Sequence, residues 1–189
     1  MNDYTIRTMD VSELRQIYKH IRQDFPVGEY PPYEILSQQF REHLQQGLIL
    51  CSGEQDLAYA ICAASTDYVL LSLIAVFPEF RGQGAGSAFL QALHSIYAYK
   101  QAIIGEVERP DLASNSIEMK QRSQRIRFYK KAGFYLIPEV DYTIWDVPMD
   151  LMALPIISSP EDINDDIQLI MYQIYLKLMG KQFMHKMSL

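Results

Sequence analysis

The chain predicts an α/β domain, and three observations predict it. Ten mostly apolar residues, Tyr68–Phe77, run straight into Pro78–Ser87 with glycines at 82, 84 and 86, and a helical pattern follows. Segments with the period of a strand interleave with segments of helical period, the pattern of a sheet covered by helices. Composition supplies the core: of 189 residues, 49% are apolar and 21% charged, ordinary for one good-sized globular domain.

Tyr4–Met9 alternates like a strand. Asp10 with Glu13 makes a capping-box pattern, and Leu14, Ile17, Tyr18, Ile21 and Phe25 share one helical face. Pro26–Pro32 breaks that helix and leads through Tyr30-Pro-Pro-Tyr33. A second helix buries Ile35, Leu36, Phe40 and Leu44, with Gly47 as its C-cap. Leu48–Ser52 and Leu57–Ala64, separated by Gly53–Asp56, read as a hairpin in which Cys51 pairs near Ala58. Cys62 then lies about four positions, on the order of 13 Å, further along the ladder, so both cysteines are expected as free thiols.

The strand Tyr68–Phe77 and the glycine turn come next, then a helix through Ala88, Phe89, Leu90, Ala92 and Leu93. Ala102–Glu108 is another strand, ended by Arg109-Pro110, and a polar loop leads to an Ile117–Ala132 helix capped by Gly133. Phe134–Ile137, Tyr142–Val147 and Leu151–Ile157 read as the remaining strands. After Ser158-Ser-Pro160 the character changes: Asn164-Asp-Asp166 caps a Met-rich helix that carries Ile167, Ile170, Met171, Ile174, Tyr175, Leu178 and Met179 and stops at Gly180. The division expected is a domain over 1–157 and a C-terminal helical extension over 158–189. That extension packs on its own sheet or, alternatively, makes a homodimer contact or a lid.

A net charge of −6 argues against general nucleic-acid binding, for which a basic face is expected, and would suit a cationic acceptor. The polar opening segment is no secretory h-region, and no apolar run reaches the length of a membrane span. No membrane partner and a cytoplasmic location are expected. His20, His43, His94 and His185 have no metal-ligand spacing with each other or with the cysteines, so no metal is expected.

The glycine turn carries the chemistry. First-turn amides of a helix have no partners inside it, and the macrodipole adds positive potential there, so an oxyanion such as a phosphate is the natural ligand. Gly82, Gly84 and Gly86 permit positive φ and close approach of a ligand to the main chain. A P-loop requires lysine, and none occurs between Tyr68 and Tyr99. A dinucleotide fingerprint beginning at Gly82 has Ser87 in its last glycine place, although Glu106 stands near the distance of its acidic residue.

Arg81-Gly82-Gln83-Gly84-Ala85-Gly86 resembles the Arg/Gln-x-x-Gly-x-Gly/Ala signature of the GNAT superfamily of N-acetyltransferases. Arg125-Ile-Arg-Phe-Tyr-Lys-Lys-Ala-Gly-Phe134, about 45 residues on, resembles the same family's helix that ends at glycine and runs into a strand. The resemblance covers roughly Tyr4 to Leu154. It implies a mixed, mostly antiparallel sheet whose parallel strands Tyr68–Phe77 and Ala102–Glu108 splay to admit acetyl-CoA, the donor for an amine acceptor, either a small molecule or a peptide.

On that resemblance the pyrophosphate sits on the amides of Gly82, Gln83, Gly84, Ala85 and Gly86 with Ser87 in reach, and Arg81 adds a charged contact or buttresses the turn. Leu73, Ile74 and Val76 hold the pantetheine arm through the main chain, and one of their amides polarises the thioester carbonyl. Tyr129 matches the family's tyrosine beside the sulfur, where it protonates the thiolate; the alternative is a core tyrosine. Many members carry an asparagine several residues ahead of it. Here that stretch is Arg122-Ser-Gln-Arg125, and Arg125 and Arg127 are the candidates for substitute phosphate contacts, a solvated face being the other reading for one of them.

For the base, Glu106 and Glu108 share one strand face with Ile104, and at most one of them serves, since two like charges in one cleft do not both ionise easily. The other reading of each is a solvent-facing or salt-bridged carboxylate. The rival function is a domain that binds or senses acyl-CoA without turnover and acts through a protein partner.

Overall fold

A computed structural model describes residues 4–189, which form two compact units. The first runs to Ala64 and resumes with Leu71–Ile96; the second comprises Ser65–Leu70 and Tyr97–Leu189. The fold is mixed α/β, with a mostly antiparallel sheet that includes a parallel pair, and a long C-terminal helix.

In the first unit, strands β1 (Tyr4–Thr8), β2 (Gln46–Ser52), β3 (Gln55–Ala64) and β4 (Tyr68–Val76) follow one another in the sheet. Helices α1 (Leu14–Asp24) and α2 (Tyr33–Arg41) bury Leu14, Ile17, Ile21, Leu36 and Phe40 against Ile49, Tyr59, Ile61, Leu73 and Phe77. The capping-box pattern does local work: Glu13 accepts from the Asp10 amide at 2.7 Å, and its carboxylate also takes both terminal nitrogens of Arg7. Helix α3 (Ala85–Ile96) buries Ala85, Phe89, Leu90 and Leu93.

Two local expectations are corrected here. Gly47 is no C-cap; α2 ends at Arg41, His43 takes the positive φ of 55°, and Gly47 lies inside β2. Its lack of a side chain serves packing, because a Cβ there would come within 2.7 Å of Met9. A bulge between Leu50 and Cys51 also slips the hairpin, so Cys51 faces Asp56 and Leu50 faces Ala58. Cys62 pairs with Gln46, and both thiols are buried and unbridged.

In the second unit, β4 begins beside β5 (Ala102–Glu108), and β5 pairs antiparallel with β8 (Val147–Pro155). The two-residue strand β6 (Tyr135–Leu136), β7 (Tyr142–Ile144) and β9 (Met187–Ser188) complete the order. The Lys100 ammonium ties down the start of β4 by donating to the carbonyls of Ser65 and Thr66, each at 2.7 Å. Helix α4 (Ser116–Lys131) is capped by Asn115, whose side chain accepts from the amides of Ile117 and Glu118.

The region after Leu136 departs from expectation. Trp145 and Asp146 both adopt positive φ, 51° and 65°, and turn β7 tightly into β8, where one strand was expected to run on to Val147. Trp-Asp lacks the Asn-Gly or Asp-Gly chemistry that normally announces such a hairpin. Helix α5 (Pro160–Met179) likewise starts four residues before Asn164: Ser159 is the N-cap, accepting from the Asp162 amide at 3.1 Å, and Pro160 fills the first position. Gly180, with φ 76°, ends it as expected.

Candidate active site

The first unit holds the glycine turn. Gly82 and Gly84 adopt φ of 75° and 88°, and a Cβ built on either would meet nothing within 4 Å. Both positions are therefore glycine for backbone reasons and for the open space above them, not for packing. Gly86 does not take positive φ; it lies in the first turn of α3, two residues after Gly84. Residues 81–84 and Ser87 are exposed, while Ala85 is buried and fixes the helix start. The fit to a diphosphate is good, since the turn presents bare main chain at a helix N-terminus of twelve residues with room beside it.

Side chains brace this turn from below. Arg81 donates through Nε to the Val76 carbonyl at 2.9 Å and pairs through Nη2 with Asp24 at 2.5 Å. Tyr59, fully buried, donates to the other Asp24 oxygen at 2.9 Å. Burial and the Asp24 charge push the Tyr59 phenol far up, so it remains a donor. Of the two roles open to Arg81, buttressing is the one its partners describe. Gln83 also bonds inward, from its amide to the Glu79 carbonyl at 3.0 Å. Leu73 is buried at the end of β4, with Ile74 and Val76 half-buried beyond it. Tyr30 and Tyr33 both stack edge-on against Tyr18, at 5.8 and 5.4 Å.

The second unit holds the titratable groups. Tyr129, 6% exposed, lies in the last turn of α4 between the rings of Phe128 and Phe134, at 5.4 and 5.2 Å. Its carbonyl accepts from the amides of Ala132 and Phe134, and Gly133 closes the helix with φ 96°. The two glutamates of β5 part company. Glu106 is half-buried and accepts from two phenols: Tyr142, and Tyr175 at 2.7 Å. Desolvation pushes its carboxyl above the ordinary range, more than the two hydrogen bonds lower it.

Glu108 is 7% exposed and sits between two guanidiniums, Arg125 on one oxygen and Arg122 Nε at 3.4 Å on the other. Arg122 also reaches Glu118 at 2.6 Å and the Arg109 carbonyl at 2.8 Å. Arg125, expected on a phosphate, is thus committed to Glu108. Sequence reasoning missed Asp24, Tyr59, Tyr142, Tyr175 and Arg122 as members of these networks. The partners of Asp24, Tyr59, Tyr142 and Tyr175 are 35 to 69 residues distant, so no local signal marked them; Arg122 alone has a local cue, Glu118 four residues before it. Among the described residues no cluster of histidine, cysteine, aspartate and glutamate is arranged to hold a metal, and no helix is long and apolar enough to cross a membrane.

A strand of the mixed sheet, β4, thus delivers a glycine turn to the start of a helix, α3. Residues 45–136, about half of the chain, match the acetyltransferase (GNAT) domain family. Among solved structures it is similar to a putative GNAT-family acetyltransferase from Bacteroides thetaiotaomicron, with 22% identity, a TM-score of 0.74, and coverage of 93% of this chain and 98% of the other. It is also similar to the ribosomal-protein-S18-alanine N-acetyltransferase of Escherichia coli (24%, TM-score 0.57, coverage 82% and 95%). A third is NAA60 of Arabidopsis thaliana, solved in complex with acetyl-CoA (12%, TM-score 0.60, coverage 81% and 98%). No curated protein sequence matches the chain.

Proposed function

We propose that the protein moves an acetyl group from acetyl-CoA to an amine by direct attack, with Glu106 as general base and Tyr129 as general acid. The observation that carries this reading is the glycine turn, with two positive-φ glycines opening α3 onto free space. The amides from Gly82 to Gly86 hold the pyrophosphate, with Ser87 beside them, and Arg81 keeps the turn in shape through Asp24 and the Val76 carbonyl. Main-chain groups of Leu73, Ile74 and Val76 hold the pantetheine arm and polarise the carbonyl. Acetyl-CoA supplies an activated acyl group and a thiolate that can leave.

Glu106 rather than Glu108 is assigned the base. A carboxylate gripped by two guanidiniums is a poor proton acceptor, whereas one raised by desolvation and held by neutral phenols is a better one. Starting from the ammonium, the nitrogen gives one proton to Glu106. After attack it gives a second, which replaces the proton that Tyr129 passes to the sulfur. The sum is amide, free thiol and one proton released to solvent. The acceptor is an amine; polyamines, aminosugars, amino acids, peptide N-termini and lysine side chains are the chemistries that fit.

Thiol release from acetyl-CoA across a panel of those amines tests the reading. Turnover with at least one is expected; binding without release on the whole panel leaves an acyl-CoA-binding module in its place. Calorimetry on Gly84→Val tests the turn. A branched side chain at φ 88° strains the main chain and intrudes on the ligand space, so acetyl-CoA affinity is expected to fall at least tenfold. Unchanged affinity would move the phosphates elsewhere.

A further inference from the structure

Glu106 stands where three elements of the second unit meet: its own strand β5, strand β7 through Tyr142, and helix α5 through Tyr175. Both phenols donate to the same atom, Oε1, while Oε2 accepts no hydrogen bond from the described residues. The phenols are well shielded, Tyr142 at 1% and Tyr175 at 8% exposure, yet Glu106 keeps part of its surface open. A carboxylate held through one oxygen by donors from two separate elements cannot turn about its Cγ–Cδ bond without losing both.

We propose that Tyr142 and Tyr175 are positioning residues for proton transfer, locking Glu106 through Oε1 and presenting Oε2 as the atom that takes the proton. This rests on Glu106 being the base. In the step itself, an N–H bond of the acceptor ammonium breaks as an O–H bond forms on Oε2, and both charges are neutralised. Neutral donors matter here, because they orient the carboxylate without quenching its basicity as a cation would. Tyr175 is also the one polar residue in the buried stripe of α5, otherwise Ile163, Ile167, Ile170, Met171, Ile174 and Leu178. The C-terminal helix is thereby part of the catalytic apparatus.

Among the described residues, no charged side chain pairs with Glu106. On β8 its register partner is Leu151, and Asp150 lies opposite Val107. On β5 the nearest carboxylate, Glu108, is paired with Arg122 and Arg125 of α4. The phenols of β7 and α5 are the titratable groups in contact, and each lowers the carboxyl that burial raises.

The test is a titration of the protein labelled with 13C at glutamate Cδ, followed by NMR, with Glu106→Gln identifying the Glu106 resonance by its loss. Loss of one phenol donor in Tyr175→Phe is expected to move the Glu106 midpoint up by about one to two pH units. The acidic limb of the pH–rate profile for thiol release, with spermidine and an alanine-terminated peptide as probe amines, should move with it. Tyr142→Phe makes the same measurement if Tyr175→Phe does not fold. A midpoint unmoved in the folded variant overturns the proposal. So does a midpoint that moves while the rate profile stays fixed. In that case, full activity in Glu106→Gln traces the failure to the base assignment, and lost activity traces it to the positioning role.

Discussion

Glu106 and Glu108 stand two residues apart on one strand, and the surrounding chain has given them opposite company. Glu108 is closed in by Arg122 and Arg125, so its charge is matched and its place is structural. Among the described residues Glu106 meets no cation, only two phenols, and it keeps partial access to solvent, so its charged form is the less comfortable one. The same residue type on the same face is thus an ion-paired brace at one position and, in the function we propose, a proton acceptor at the other. What separates them is the identity of the donors, which come from α4 for one and from β7 and α5 for the other.

The sharpest way to break this contrast is to neutralise each in turn. Glu106→Gln is expected to lower turnover by about 10²–10⁴, the usual worth of a general base, with acetyl-CoA binding retained. It should not destabilise the fold. The folded carboxyl lies above its ordinary value of 4.5, so between that value and the raised one the native state holds more protons than the unfolded chain. Stability from this group is therefore present at low pH, falls as pH rises through that window, and levels off above it. Denaturant midpoints across pH should show that fall in the wild type and lack it in Glu106→Gln. A variant that keeps its turnover removes the contrast on the catalytic side.

Glu108→Gln should do the reverse, leaving activity close to wild type once folded but costing about 2 kcal/mol in urea unfolding. The full penalty for an orphaned buried charge is larger, but Arg125 is 35% exposed and can turn to water. Loss of activity without loss of stability would show that the two roles had been exchanged. Arg125→Gln, which spares the Arg122 half of the clamp, should cost less, about 0.5–1 kcal/mol by the same unfolding measurement.

Much of the site was legible because its geometry is local. Gly82 and Gly84 adopt positive φ as a turn between strand and helix demands, and Gly133 stops α4 four residues after Tyr129. Gly86 was over-read, since a glycine in a turn-like run need not be the residue that turns. Gly47 was misread for the related reason that a missing side chain can serve close packing, here against Met9, as well as backbone freedom. The Trp145-Asp146 hairpin escaped notice because a tryptophan rarely takes positive φ and no glycine follows the aspartate; strand pairing on both sides, Ile144 with Val147 and Thr143 with Ser188, holds it there.

The order of elements, the glycine turn and the helix that carries Tyr129 were determined by the sequence itself, through short-range sterics and hydrogen bonds that act within a few residues. Which side chains meet was decided only by the tertiary structure: Asp24 under Arg81, 57 residues away, and Tyr175 on Glu106, 69 residues away. Periodicity tells a residue which face it is on, but the environment of a carboxylate is made by the donors that packing brings to it from distant elements.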